Sequence, residues 1–295
     1  MGRLISDKYK QWEEACTTRF NSLKNNEEEL NKIFIEIYGL QEELTPGIQD
    51  KDVTVRQANL QREIKSLISY IVGCYFGRYS LDEEGLVYAG GVFDKTRYTT
   101  IIPDENNILP ITDDEYFSDV LVNRVVSFLA SVYGDDTLEE NMKYIASALG
   151  GTDAPRDVIR KYLINDFYSD HLKTYQKRPI YWMIDSGKKN GFKALIYMHR
   201  YNSSLLATVR TDYILPLMDK YTSRIEFLER DIPTLVGSAQ TKARKELEKV
   251  KAQYAELAEF EPKVHHLADL KIEIDLDDGV KHNYELFKDI LTPIK

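Results

Sequence analysis

Two short spacings in the sequence could carry catalytic or metal chemistry, and each has a simpler explanation. Ser186 and Lys189 match a serine–lysine dyad. Such a dyad needs a neutral, desolvated lysine, whereas a lysine in an exposed turn keeps its charge. His265, His266 and Asp269 carry metal-ligating atoms, but adjacent histidines on a helix point about 100° apart. We therefore expect no catalytic or metal site from these residues.

A third cluster, the acids from Asp113 to Glu115, lies where a helix is predicted to begin. Acidic side chains are favoured there because they interact with the positive end of the helix dipole. The sequence contains no phosphate-binding loop, dinucleotide-binding turn, Cys-x-x-Cys pair or His-Glu-x-x-His motif. No self-contained catalytic constellation is present, so an independent enzyme is the least favoured hypothesis.

The cations concentrate in one segment. From Lys173 to Arg200 there are seven Lys or Arg residues and one acid, Asp185, in a chain of net charge −9. Clustered cations neutralise phosphates, so this segment predicts a contact with a polyanion. A solubilising edge is the alternative, because lysines commonly protect sheet edges from aggregation. The candidate contact residues are Lys177, Arg178, Lys188, Lys189, Lys193 and Arg200.

A β-hairpin is predicted to carry these cations. Two apolar, aromatic-rich runs, 180–184 and 192–198, flank a turn at 186–191 that is rich in Gly and Asn. These two residue types tolerate the positive φ angles that tight hairpin turns require. The hairpin is the most specific structural element that the sequence predicts.

Composition limits the class of protein. Hydrophobic residues make up 43% and charged residues 29%, which is typical of a globular protein in water. No apolar run approaches the ~20 residues of a membrane helix, and the first residues do not resemble a signal peptide. Cys16 and Cys74 both lie in helical patterns and form no disulfide framework. We therefore expect a cytoplasmic protein without a membrane partner.

The negative charge is uneven along the chain. Residues 99–170 carry 14 acids and 5 bases, a balance that equals the excess of the whole chain. A free-standing nucleic-acid binder is usually basic overall. A contact with nucleic acid would therefore use a restricted face or act within something larger.

Hydrophobic periodicity predicts a predominantly helical α+β fold. Asn26 is expected to cap a helix that carries an apolar stripe of Leu30, Ile33, Phe34 and Ile37. Segment 77–114 is predicted to be irregular, with short strands at 86–88 and 98–102; a further strand is expected at 270–276. Helices are expected over 8–39, about 54–76, from near residue 113, and over 137–149, 155–168, 204–229 and 233–262.

Four segments follow from these patterns: a helical part at 1–78, a mixed α/β part at 79–202 with the basic hairpin at 178–200, a helical hairpin at 203–262 and a tail at 263–295. The helical hairpin carries a seam of residues spaced alternately by four and three, as in an antiparallel helix pair: Ala243, Leu247, Val250, Tyr254 and Leu257. The second predicted helix has a polar half that we interpret as ordinary solvated surface: Arg56, Gln57, Gln61, Arg62 and Lys65.

Several stretches carry a resemblance to a known family. They lie at 26–40, 43–46, 69–80, 85–91, 177–200 and 276–284. Together these stretches resemble large bacterial DNA adenine methyltransferases of phage-defence and restriction systems, in particular the PglX-like enzymes of BREX systems. Each motif alone is weak, but together they are specific and spread over nearly the whole chain.

The resemblance implies a portion that follows a catalytic domain. The family's catalytic domain carries a glycine-rich cofactor motif and an Asn-Pro-Pro-Tyr motif that holds the flipped adenine beside S-adenosylmethionine. Neither motif occurs here. The resemblance therefore implies adenine N6 methylation and S-adenosylmethionine for a parent protein, and no cofactor for this portion.

Two functional hypotheses follow. In the first, the chain is a non-catalytic DNA-recognition and scaffold portion, with double-stranded DNA and the parent's methyltransferase domain as partners. The hairpin cations would grip DNA, since a two-stranded ribbon is narrow enough for the major groove. In the second, the acidic block at 104–170 and the seam at 243–257 bind other subunits of the defence complex.

Overall fold

The computed structural model describes residues 4–294 and has the predominantly helical α+β fold that the sequence predicts. The helices are α1 (Ile5–Tyr38), α2 (Leu60–Tyr75), α3 (Leu121–Tyr133), α4 (Leu138–Ala148), α5 (Pro155–Asn165), α6 (Phe167–Thr174), α7 (Leu205–Thr208), α8 (Leu215–Asp231), α9 (Gly237–Leu270) and α10 (Val280–Glu285). The strands are β1 (Ile108–Pro110), β2 (Tyr181–Asp185) and β3 (Lys193–Tyr197). No helix within residues 4–294 is both long enough and apolar enough to cross a membrane.

The predicted hairpin is confirmed. β2 and β3 pair antiparallel with Trp182 opposite Ile196, and β1 adds to the other side of β3 to give the order β1-β3-β2. β2 is therefore an edge strand, and a C-terminal segment covers it. The N–H of Asp185 donates to the carbonyl of Ile290 at 3.0 Å, and the N–H of Thr292 donates to the carbonyl of Met183 at 2.9 Å.

The small sheet separates two helical layers. Alternate strand residues point to opposite faces, so Tyr181 and Met183 join a cluster with α2–α6, whereas Trp182 and Ile184 join a second cluster with α7–α10. Both faces of the hairpin are thus buried. The expectation that this ribbon enters the major groove is wrong, because its strands form the centre of the core.

The predicted seam on α9 is confirmed as the contact with an antiparallel helix. Ala243, Val250 and Leu257 are buried, and Arg224 of α8 pairs with Glu246 of α9. The predicted helix end at Pro262 is wrong, since α9 continues to Leu270. Buried residues on both sides of the proline hold the helix together: Leu257, Phe260, Val264 and Leu267.

Helix α1 differs from the prediction in two ways. Asn26 lies inside one continuous helix rather than at its start. The stripe of Leu30, Ile33, Phe34 and Ile37 is unburied, with Ile37 68% exposed. This half of α1 contacts the segment that follows the helix: the Glu28 carboxylate accepts from the N–H of Ile48 at 3.1 Å.

Helix starts and ends also shift elsewhere. α2 begins at Leu60, where Asn59 caps the N–H of Arg62 at 2.9 Å. α3 begins at Leu121 instead of near residue 113. The segment predicted at 155–168 is divided into α5 and α6, and the segment at 204–229 contains a π-helical stretch at 209–214 between α7 and α8.

The strands predicted at 86–88, 98–102 and 270–276 are wrong. Side chains take the place of a ladder in the irregular segment: the Asp82 carboxylate accepts from the N–H groups of Thr99 at 2.7 Å and Thr100 at 3.0 Å. These bonds satisfy backbone groups that a strand partner would otherwise satisfy. Near the C-terminus, Lys271 adopts φ 46° and ends α9.

One buried histidine lies against the sheet. His171 of α6 is 4% exposed, and its Nε2 accepts from the N–H of Tyr181 at 3.1 Å. The pKa of His171 is lowered to about 3, mainly because the ring is buried and to a smaller extent because the positive charge of Arg78 is nearby. The folded chain therefore keeps this imidazole neutral across a range in which the unfolded chain protonates it.

This histidine predicts a pH dependence of stability. The unfolded imidazole has a pKa near 6.5. The contribution of His171 to the free energy of unfolding is therefore complete above that pH. It falls by about 1.4 kcal/mol per pH unit as the pH drops from 6.5 towards 3. His171→Gln keeps an acceptor for Tyr181, and we expect it to remove this component between pH 6.5 and 5, as measured by urea unfolding. His265→Gln, at an exposed site, is the control for loss of a histidine and keeps the component that His171 contributes. An unchanged slope in the His171 variant would contradict the assignment.

Candidate nucleic-acid interface

A groove of about 1020 Å³ lies between α6 and the turn of the hairpin. Four lysines line it, from α6, from the segment after α6, from the turn and from β3: Lys173, Lys177, Lys188 and Lys193. Among the described residues that line this groove, Asp185 is the one acid. We call it the lysine groove. Three of the six predicted contact residues meet there.

The floor of the lysine groove is mixed in character. Its apolar part comes from Ile164, Leu172, Met183 and Pro293, and its polar part includes Asn165, Ser169, Gln176 and Asn190. A cationic rim over such a floor suits a sugar–phosphate chain, which presents both charged oxygens and apolar sugar faces.

The four lysines do not have equal freedom. Lys193 is 14% exposed, pairs with Asp185 at 3.4 Å and donates to the carbonyl of Ile164 at 3.5 Å. Lys173 lies 3.5 Å from Asp170. Lys177 and Lys188 are exposed and have no ion-pair partner within the part of the chain that the structure describes. These two are the cations most available to an anionic ligand.

The backbone directs Lys177 to the rim of the groove. Gln176 and Lys177 both adopt positive φ, at 50° and 60°, and the N–H of Lys177 donates to the carbonyl of Leu172 at 2.8 Å. Left-handed residues of this kind reverse the chain after a helix. The chain therefore turns from α6 into β2 with Lys177 at the bend.

A carboxylate of α9 fixes the turn that carries Lys188. The Oε1 of Glu256 accepts from the Ser186 hydroxyl at 2.8 Å and from the N–H of Gly191 at 2.9 Å. Its Oε2 accepts from the N–H of Lys189 at 2.8 Å. A Cβ at Gly187 would lie 2.6 Å from that carboxylate, so the close approach requires glycine. Glu256 lies 65 to 70 residues from these partners, and no local sequence signal identifies it.

The same contacts contradict a serine–lysine dyad. The Ser186 hydroxyl donates to Glu256 and accepts from the N–H of Phe192 at 2.8 Å. Its position stabilises the turn. Within residues 4–294 there is no group of three or more potential ligands that could hold a metal ion, and His265 instead lies 3.5 Å from Asp269.

The other three predicted contact residues lie outside the lysine groove. Arg178 and Lys189 are exposed and do not line it. Arg200 faces inward: its guanidinium donates to the carbonyls of Asp104 at 2.9 Å and Phe76 at 3.2 Å, and it lies 4.0 Å from the ring centre of Phe93. Burial lowers the pKa of Arg200. Its contacts with Asp104 and Phe93 hold the irregular segment 77–114 against the chain just after β3.

The seam on α9 and the acidic block, which favoured a docking module, largely make contacts within this chain. The seam on α9 is buried against α8. In the acidic block, Asp104 pairs with Arg124 at 3.0 Å, and Glu115 pairs with Arg156 at 2.8 Å. Asp113, predicted at a helix start, is held by α9, where it pairs with Lys249 and accepts from Gln253.

The residues present here do not fit S-adenosylmethionine. The sequence has neither a glycine-rich cofactor motif nor an Asn-Pro pair. The strands found within residues 4–294 form one antiparallel sheet, whereas nucleotide cofactors in α/β folds bind at the carboxyl edge of parallel strands. No chemical step can be assigned to this cofactor here.

The structural role of Arg200 makes a testable prediction. Arg200→Ala leaves the carbonyls of Phe76, Asp104 and Glu105 without their donor. We expect a loss of about 1–3 kcal/mol in the free energy of unfolding, measured by denaturant titration. Arg178→Ala removes an equal charge from an exposed site and is the matched control, with less than about 0.5 kcal/mol of change. Equal stability of the two variants would show that Arg200 does not hold this segment.

No family model matches the sequence. The chain is 46% identical over 295 residues to the adenine-specific methyltransferase PglX of Lacticaseibacillus casei (strain Zhang), covering 97% of the chain and 24% of that protein. It is 36% identical over 305 residues to the adenine-specific methyltransferase BrxX of Escherichia coli O9:H4 (strain HS), covering 94% of the chain and 25% of that protein. The chain thus spans about a quarter of the length of these curated relatives and matches the C-terminal part of a PglX-like adenine methyltransferase.

Proposed function

We propose that this chain, similar to the C-terminal part of PglX-like adenine methyltransferases, is a non-catalytic portion that holds double-stranded DNA for a methyltransferase domain in a longer protein. The observation that carries the proposal is the lysine groove with Lys177 and Lys188, two exposed cations that form no ion pair among residues 4–294. Methyl transfer from S-adenosylmethionine would belong to that other domain, in the cytoplasm.

The chemistry of adenine methylation explains why such a portion is useful. A base inside a duplex must be extruded before an enzyme can modify it. Contacts to the backbone fix the position of the protein while this happens, and phosphate contacts are the commonest way to achieve it. A groove with two exposed lysines supplies such contacts.

The net charge of −9 does not oppose this proposal. A module tethered to another DNA-binding domain acts at a high effective concentration and needs little affinity of its own. Because the hairpin strands are buried, the contact would be made by surface lysines and not by a ribbon in the major groove. Binding by this portion would then depend strongly on salt and weakly on sequence.

Charge reversal tests the proposal. We expect Lys177→Glu with Lys188→Glu to weaken binding of a duplex oligonucleotide by at least about 10-fold and to reduce the slope of log K against log salt by about 2, since each phosphate contact contributes about 0.9. Fluorescence anisotropy from 50 to 200 mM salt measures both quantities.

A matched pair supplies the control. Lys10→Glu with Lys32→Glu changes the net charge by the same amount at exposed positions of α1, far along the chain from the groove. Loss of binding in both pairs would indicate a general charge effect. Absence of duplex binding by the wild-type chain, at low salt as well, would reject the proposal.

One observation favours a second function, the docking of another protein. Leu30, Phe34 and Ile37 are 53 to 68% exposed on one half of α1, and contiguous apolar surface of this kind marks interaction sites. Exposed glutamates accompany it, among them Glu29 and Glu36. The fitting occupant is an apolar patch edged by Lys or Arg on the methyltransferase region of the longer protein.

Substitution of the apolar stripe tests this second function. Phe34→Glu with Ile37→Glu should leave the thermal unfolding of this chain unchanged, because both side chains are already more than half exposed. The same change should abolish co-purification with a separately expressed methyltransferase region. Retained co-purification, or a concentration-dependent dimer of this chain that the substitutions abolish, would contradict the assigned occupant.

A further inference from the structure

A second cavity, of about 480 Å³, lies between α2 and α6. Tyrosine is the commonest residue type in its wall, with Tyr70, Tyr79, Tyr162 and Tyr175. We call it the tyrosine pocket. Part of its rim comes from the polar half of α2, where the sequence predicts ordinary solvated surface. The residues concerned are Gln61, Arg62 and Lys65. The folded arrangement gives those polar residues a concave, aromatic neighbour.

Aromatic rings that line the pocket contact one another and the core behind it. The rings of Tyr70 and Tyr79 are 5.2 Å apart and 28° from parallel. The ring centre of His171 lies 4.6 Å from that of Tyr175, with the planes tilted by 39°, and 4.7 Å from that of the core residue Tyr181, with the planes at 15°. Tyr70, Tyr79 and Tyr175 are all partly exposed, so their rings are accessible to a planar ligand. Aromatic platforms of this kind stack nucleobases with little sequence preference.

The rim of the tyrosine pocket carries three cations, of which Arg62 pairs with Glu63 at 2.6 Å. Arg62, Lys65 and Lys173 line it, against the single carboxylate of Asp170 among the described lining residues. Lys65 pairs with Asp170 at 2.8 Å. Lys173 also lines the lysine groove, so α6 is a shared wall between the two cavities.

The pocket wall includes a buried polar group without a partner. His171 Nε2 accepts from Tyr181, so the proton of the neutral ring resides on Nδ1. Within residues 4–294, Nδ1 has no hydrogen-bond partner. An unsatisfied buried donor in a native fold calls for an explanation, and an absent ligand is one. Nucleobases carry ring nitrogens and carbonyl oxygens that accept such a bond.

We propose that the tyrosine pocket binds an unstacked nucleobase of the DNA strand whose phosphates lie in the lysine groove. This inference rests on the proposed function and adds a second contact to it. Phosphate contacts alone do not distinguish a paired from an unpaired nucleotide. A base-stacking pocket does, because only an extruded or unpaired base can enter it.

The test compares two duplexes of equal length, one fully paired and one with a single bulged 2-aminopurine. We expect the wild-type chain to bind the bulged duplex about 10-fold more tightly and to quench its 2-aminopurine emission by stacking. Ser66→Trp places an indole in the pocket from an exposed position of α2, and we expect equal affinity for the two duplexes and no quenching.

Two further variants make the result decisive. Ser22→Trp introduces the same side chain at an exposed site of α1 and should retain both the preference and the quenching. Tyr175→Ala removes one wall of the pocket and should lower the preference without abolishing binding of the paired duplex. Circular dichroism establishes that each variant is folded before binding is measured.

The outcomes separate the two proposals. Failure of the wild-type chain to bind either duplex rejects the proposed function. Binding of both duplexes with equal affinity and unchanged emission rejects the tyrosine pocket alone. A preference that survives in the folded Ser66→Trp variant likewise overturns the pocket, since the base must then bind elsewhere.

Discussion

Burial of the β-hairpin on both faces is the constraint on which the structure depends. A three-stranded sheet is too small to form a layer of its own, so its stability comes from helices packed on each side. Tyr181 and Trp182, adjacent in sequence, thereby belong to different hydrophobic clusters. The N-terminal and C-terminal helices pack on opposite faces of these few strand residues.

The turn of the hairpin is the point at which this core reaches the surface. Glu256 holds it by accepting from two backbone N–H groups and a hydroxyl, so that these donors satisfy a carboxylate beside a cationic turn. The ammonium groups of Lys188 and Lys189 remain outside this contact and stay exposed. A hydrogen-bonded support under exposed cationic side chains is how an acidic chain can present a local positive surface.

The sequence predicted features that arise from local pattern and missed those that arise from distant contacts. The hairpin and the seam on α9 were predictable because strand and helix periodicities are local. Pro262 was misinterpreted as a helix end because packing of Phe260 and Val264, invisible in the local pattern, outweighs the lost hydrogen bond. Arg200 looked like its neighbours in the basic segment, yet its partners at Phe76 and Asp104 lie about a hundred residues away. The lysine groove was partly predictable, whereas Glu256 and the tyrosine pocket were not.

The contact between β2 and the C-terminal segment has a practical consequence. Ile184 forms a bridge with Leu291, and two backbone hydrogen bonds flank it. A clone that stops before residue 290 would uncover a row of main-chain donors and acceptors on an otherwise apolar strand. Uncovered edges of this type recruit strands from other molecules, so such truncated preparations would precipitate or form intermolecular sheets even though every helix keeps its own sequence.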